Sequence, residues 1–264
     1  MKNEHILNIY RIKALQFRAE IFNLMGRSKE ALGDTEALIK ILKGKTSAGA
    51  GKSLPTAITL KAFILGYLER FDESMDCWKM AERLFRKNGD ARGAAAALIS
   101  ISAVHEARKD YRKALKCCFK ALKILERTKM TDELANAYNN LGMIFHSLND
   151  LDKAVSYYQK GLDMRTRLND RIRMGESYNN LAFAFEDKGD VKTALNYYGI
   201  SLIIRTETGH KRGEGITLAN MAHLYKTLGD KEKAKECYVK ASGIFRAINE
   251  NAFAKKMSDA LEGL

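Results

Sequence analysis

This chain repeats itself every forty residues, and that period limits its fold more than any other feature. Tyr138-Asn139-Asn140-Leu141-Gly142 is followed forty residues on by Tyr178-Asn179-Asn180-Leu181-Ala182, then by Leu218-Ala219-Asn220-Met221-Ala222. One step back stands Leu98-Ile99-Ser100-Ile101-Ser102. A second set keeps the same period: Ser74, Ala114, Ala154, Ala194 and Ala234 are small, and Trp78, Cys118, Tyr158, Tyr198 and Tyr238 come four residues later. Ala81, Ala121, Gly161, Ser201 and Ala241 follow three residues after those. Self-similarity of this length marks an array of stacked units.

Spacing inside the unit gives its shape. Tyr138, Leu141, Gly142 and Phe145 recur at helical intervals, and so do Ala154, Tyr158, Gly161 and Leu162. Between the two runs lies a turn ending in Asp110, Asp150, Asp190 or Asp230, preceded in two units by Gly189 or Gly229. The aspartate can cap the second helix, and glycine can take the left-handed conformation that ends the first. Each unit therefore reads as helix A, tight turn, helix B. Small residues at the crossing let two backbones approach, and the aromatic fills the space beside them. One unit cannot bury its apolar face alone, so stacking is obligatory.

The positions of these small and aromatic residues resemble the tetratricopeptide repeat. The forty-residue period is similar to that of kinesin light chain and the Leu-Gly-Asn-repeat scaffolds. The resemblance implies an all-α, right-handed superhelical solenoid of antiparallel helix pairs. It covers residues 55–249 in at least four units and residues 12–43 more weakly, through Leu15, Ala19, Phe22, Met25, Gly26 and Ala31. A single solenoid domain over 1–264 is expected. Its repeats fall at 12–43, 55–94, 95–134, 135–174, 175–214 and 215–249. A basic, flexible insertion occupies 44–54, and a capping helix at 250–264 carries Phe253, Met257 and Leu261 at four-residue spacing. The extra residues of the period should lengthen the helices and the B-to-A corners. Lys61 departs from the pattern, standing where leucine is usual, and the repeat's final proline is missing throughout.

Composition agrees with helices joined by short turns. The chain has one proline, Pro55, and is 46% hydrophobic and 29% charged. Its formal net charge of +13 favours acidic partners through long-range steering. Cys77, Cys117, Cys118 and Cys237 form no Cys-x-x-Cys pair and no ligand-spaced set with histidine, so no metal site or cofactor is expected. Buried, reduced thiols suit a cytoplasmic protein. Residues 1–17 lack an apolar stretch of signal length, and nothing approaches a membrane span.

Several local motifs invite catalytic readings and fall short. Gly51-Lys52-Ser53 ends like a phosphate loop, but Thr46 stands where the motif needs glycine, and a lysine-bearing helix replaces the preceding strand. His105-Glu106 begins like a zinc-protease helix, but Lys109 stands where the second histidine belongs. A packed histidine is the simpler reading. The repeat pattern begins close to Met1 and leaves no stretch for a catalytic domain, so no enzyme is expected.

The resemblance implies instead that first helices line a concave groove. The groove-facing positions fall on Asn136, Asn139, Asn140, Met143 and His146 in one unit and on Glu176, Asn179, Asn180, Phe183 and Glu186 in the next. In the third they are Ile216, Ala219, Asn220, His223 and Lys226. Asn140, Asn180 and Asn220 form a row one unit apart, similar to the asparagine ladder of the O-linked N-acetylglucosamine transferase repeats. Such amides can clasp the main chain of an extended peptide or hydrogen-bond between repeats. A carboxylate clamp would need several basic residues here, and the chain offers mostly asparagine and glutamate.

A second constellation is basic. Arg112, Lys116, Lys120, Lys123 and Arg127 make one stripe on a second helix, thickened by Lys109, Lys113 and Lys129. The expected function is a protein-interaction scaffold holding an extended or helical peptide in the groove. The partner is a protein or peptide, with acidic character allowed by the charge. Nucleic-acid or anionic-surface binding by the stripe is the alternative, weakened for single strands by the scarcity of aromatic neighbours. A regulatory array within a larger signalling assembly, or self-association, fits the same pattern.

Overall fold

Helices mostly of seventeen residues, joined by turns of one geometry, make up the described residues. The computed structural model describes residues 2–44, 53–128 and 131–264. Among them are thirteen α-helices and no strand. The first six are α1 (Lys2–Leu24), α2 (Ser28–Lys43), α3 (Ser53–Tyr67), α4 (Phe71–Lys87), α5 (Ala91–Ala107) and α6 (Tyr111–Thr128). The rest are α7 (Thr131–Ser147), α8 (Leu151–Arg167), α9 (Arg171–Asp187), α10 (Val191–Glu207), α11 (Lys211–Thr227), α12 (Lys231–Ala247) and α13 (Asn251–Glu262). Most of the insertion proposed at 44–54, including Gly51 and Lys52 of the phosphate-loop-like motif, lies outside the described residues, as does Lys129.

Every described corner closes in the same way. The middle residue of each three-residue turn has a positive φ: Gly26, Gly89, Gly189, Gly209 and Gly229, but also Glu69, Lys109, Asn149, Asn169 and Asn249. One residue further on, the backbone N–H reaches back across the turn, as in Asp90 to Phe85 O, Asp150 to Phe145 O and His210 to Arg205 O, each at 2.9 Å. This is a Schellman closure, and it needs a left-handed residue. The expectation of longer B-to-A corners is therefore corrected. Among the fully described corners both kinds take three residues, and seventeen-residue helices such as α8 and α9 fill the rest of the period.

The aspartates that end these turns cap as their chemistry suggests. Asp90, Asp150, Asp170, Asp190 and Asp230 accept from the N–H of Gly93, Lys153, Arg173, Thr193 and Lys233. Asp110 is a correction: the Lys113 N–H goes to its carbonyl at 2.9 Å, and its carboxylate meets Lys113 Nζ at 3.1 Å. Arg27 and Arg70 stand where the aspartate would be and pair with Glu30 and Glu73 one turn on.

The structure falls into two compact units, residues 1–133 and 134–264. In the first, Ile58, Ala62, Met75, Trp78 and Phe85 pack with Ala94 and Ile101. Ala62 occupies the buried crossing position despite the lysine beside it, because Lys61 turns to Glu36 at 2.7 Å. In the second unit Ala182, Ala194, Tyr198 and Leu224 share a core. Leu218, Tyr238 and Phe245 share another with Ala254 and Met257 of α13.

The crossing itself is tight. A Cβ at Gly142 would lie 2.4 Å from the Tyr158 ring, and one at Gly93 would lie 2.3 Å from Phe85. Gly142→Val should destabilise the protein by about 1–3 kcal/mol, as overpacked cores do. At Gly199, within α10, an added Cβ meets nothing within 4 Å. Gly199→Ala should gain up to about 1 kcal/mol from helix propensity. Urea unfolding of the two variants checks both directions.

Candidate functional site

Helices α7, α9 and α11 carry the positions expected to face a groove, and their amides hydrogen-bond mainly to each other. Asn180 Nδ2 donates to Asn139 Oδ1 at 2.9 Å, and Asn220 Nδ2 donates to Asn179 Oδ1 at 3.3 Å. Thr217 Oγ1 donates to the same Asn179 oxygen at 3.3 Å. Asn139 and Asn179 are thus buried beneath the face and do not line its surface. Asn140, Asn180 and Asn220 are half-buried, and the Asn140 side chain makes no hydrogen bond among the described residues. Of the two roles the row could play, the geometry displays the inter-repeat bond.

What remains exposed on this face is apolar and charged. Met143 and Phe183 stand 41% and 47% exposed. The Phe183 ring meets His146 edge-on at 4.8 Å, and His146 Nε2 donates to Asp187 Oδ2 at 2.6 Å. Glu186 is held beneath, accepting from the Tyr198 hydroxyl at 2.7 Å, while the exposed His223 ring lies 3.6 Å from it. Burial and that bond push the Tyr198 phenol far above its usual range. Lys226 is drawn off to the carbonyl of Gly263 at 3.0 Å.

Two buried arginines lie under the starts of these helices. Arg165 Nη1 donates to Arg173 O at 2.8 Å and Ser177 Oγ at 2.7 Å, and Nη2 reaches Asn136 Oδ1 at 3.3 Å. Glu176 supplies a carboxylate 3.5 Å from Arg165. Arg205, forty residues on, donates through Nη1 to Gly213 O at 2.6 Å and Thr217 Oγ1 at 2.8 Å. Desolvation lowers the Arg205 pKa, against the pull of Glu176. These guanidiniums tie one repeat to the next.

The first unit holds an apolar pocket of about 350 Å³ that the sequence reading missed. Phe63, Tyr67, Phe71 and Trp78 surround a floor of Ala103 and Ala107. Phe63 packs edge-on against Trp78 at 4.7 Å and is itself 53% exposed. The signal was present: Phe63, Ala103, Met143, Phe183 and His223 stand at one phase of the repeat.

Other candidates resolve simply. His105 is half-buried, and desolvation lowers its pKa against the pull of Asp110, 3.7 Å away. All four cysteines are free; Cys118 and Cys237 are buried, while Cys77 and Cys117 are half-buried. Burial pushes the Cys118 thiol up to about 12, which keeps it protonated and inert. Among the described residues no cluster of histidine, cysteine and carboxylate side chains could hold a metal ion, and no helix is long and apolar enough to cross a membrane. Arg112, Lys116, Lys120, Lys123 and Arg127 are all exposed on α6.

Repeated antiparallel helix pairs, closed by one turn, define a helical-repeat protein of the interaction-scaffold class. The family model described as tetratricopeptide repeat matches residues 94–167 and 173–247, and the chain belongs to that family. Its fold is similar to BtubC (BKLC) from P. vanneervenii, at 18% identity over 75% of this chain and 81% of that one, with a TM-score of 0.65. A Rap protein complexed with competence and sporulation factor is similar over 96% of this chain and 74% of its own, at 14% identity and a TM-score of 0.71. Kinesin light chain TPR-like repeats from Podosopora anserina match at 13% identity over 76% and 97% of the two chains, with a TM-score of 0.61. No curated protein matches the sequence.

The amide row gives a stability prediction. Asn180→Ala strips the buried Asn139 oxygen of its donor and should cost about 1–3 kcal/mol. Asn140→Ala removes no hydrogen bond and should stay within about 0.5 kcal/mol. Comparing their urea midpoints checks the contrast.

Proposed function

We propose that the first-helix face of α7, α9 and α11 binds a peptide segment of a partner protein, with Met143 and Phe183 as apolar anchors and no catalysis. The observation that carries this is the exposed Phe183 ring, held at the surface by His146 and Asp187. An aromatic fixed in place loses little entropy when a ligand covers it, and such residues dominate binding energy. Around it Asn136, Asn140, Glu176, Asn180 and Asn220 offer donors and acceptors to a peptide main chain. Glu186 and His223 set the polar edge. The Rap protein of similar fold, complexed with competence and sporulation factor, supports a ligand-holding role for such a stack.

The amides act here mainly as a frame. With one amide bond of Asn180 and of Asn220 spent on the preceding repeat, their remaining donor and acceptor capacity orients a ligand that the apolar anchors hold. The aromatic pocket around Phe63 and Tyr67 offers the first unit an anchor site of its own.

Peptides selected from a random display library against the whole chain provide the test. A selected peptide should lose at least tenfold in affinity with Phe183→Ala and with Met143→Ala, with little change between low and high salt. Undiminished binding to Phe183→Ala, at unchanged helicity, would remove this face from consideration.

A further inference from the structure

A cleft of about 850 Å³ lies in the first unit, between α4 and α6 and floored by α5. Its α4 wall carries Lys79, Arg83 and Arg86, and its α6 wall carries Lys120, Lys123 and Arg127. All six are exposed, and Glu82 is the one acidic residue in the lining. Arg86 meets Glu82 loosely at 3.8 Å and Lys79 meets Asp76 at 4.0 Å; the other four have no ion pair among the described residues. Between the walls the floor is apolar but largely covered: Leu98 and Ile101 of α5 are buried, and Ile124 of α6 is half-buried. At its end His105 Nδ1 is buried without a hydrogen-bond partner.

A solvated basic face does not need this arrangement. Like charges on opposite walls repel, and the fold gains nothing from facing them across an open cleft. The spacing points to an occupant. The rows 79/83/86, 98/101/105 and 120/123/127 each step by three and four residues. Each spans about 10 Å at the helical rise, the length of two turns. Two turns of a guest helix occupy roughly 800–1,000 Å³, which matches the cleft.

We infer that this cleft docks an acidic amphipathic helix of a partner protein, its carboxylates on the two basic walls and its apolar stripe on Ile124 and the exposed edges of Leu98 and Ile101. This is a second docking surface, independent of the groove on α7, α9 and α11. Helix-in-groove recognition reads anchors at such intervals. Nucleic acid fits less well. No aromatic residue lines the cleft for base stacking. A bilayer surface is flat, and cannot follow charges down both walls of a cleft.

The probe is a labelled eighteen-residue helical peptide with leucine along one stripe and glutamate on both flanks, titrated against the whole chain by fluorescence anisotropy. Binding should weaken at least tenfold in Lys120→Glu/Lys123→Glu, and by less than threefold in Arg112→Glu/Lys116→Glu. The second pair makes the same charge change on α6 but does not line the cleft. Replacing the peptide leucines by alanine should also cost at least tenfold. Equal losses in both double variants, or no loss from the alanine peptide, would reduce the effect to net charge and overturn the inference. So would tighter binding of single-stranded DNA or phosphatidylserine vesicles that the cleft variant abolishes. Circular dichroism of each variant ensures that a lost site is not a lost fold.

Discussion

The helix crossings depend mostly on an aromatic ring pressed against a position that has little or no side chain, with Cys118 taking the ring's place on α6. Tyr158 over Gly142 and Phe85 over Gly93 set how close two helix backbones come. The small residues Ala154, Ala194 and Ala234, fully buried, keep the second helix at that distance. Once the crossing is fixed, so are the side chains that emerge on either side of it. Serines complete the contact by donating across it, as Ser74 does to Ala62 O and Ser201 to Gly175 O. A larger residue at the crossing would displace the whole outer face, because packed interiors transmit strain.

Upon this frame the two units carry different chemistry. In the second, buried arginines and amides bind neighbouring repeats together, leaving Met143 and Phe183 as the exposed apolar groups of a polar face. In the first, cations gather on two second helices without carboxylates enough to neutralise them. Net charge alone could not separate these surfaces. At physiological ionic strength charges act over about 8 Å, so what a ligand meets is local.

The sequence was most legible where structure follows from local rules. Helix periodicity, the small and aromatic positions and the left-handed turn glycines depend on residues within one unit, and they stand where the spacing placed them. Asp110 misled because a capping side chain can be diverted by its own neighbour Lys113. The asparagine row left two roles open, since donors and acceptors forty-one residues apart become partners only when helices stack in a particular register. The stripe on α6 was visible as one wall. Its facing wall, Lys79, Arg83 and Arg86, sits one repeat earlier, and no local pattern says that the two enclose a cleft.

The left-handed residues at 69, 89, 109, 149, 169, 189, 209, 229 and 249 fall on a twenty-residue grid, half the period of the side chains. The main chain therefore does not distinguish first helices from second ones; only their side chains do. Lengthening such a gene by a whole pair of helices preserves every partner on both sides of the join. Adding or losing one helix keeps the backbone regular but exchanges the two roles downstream, setting small residues against small and rings against rings. Growth of this architecture is thus quantised in pairs, and the unit of inheritance is forty residues although the unit of geometry is twenty.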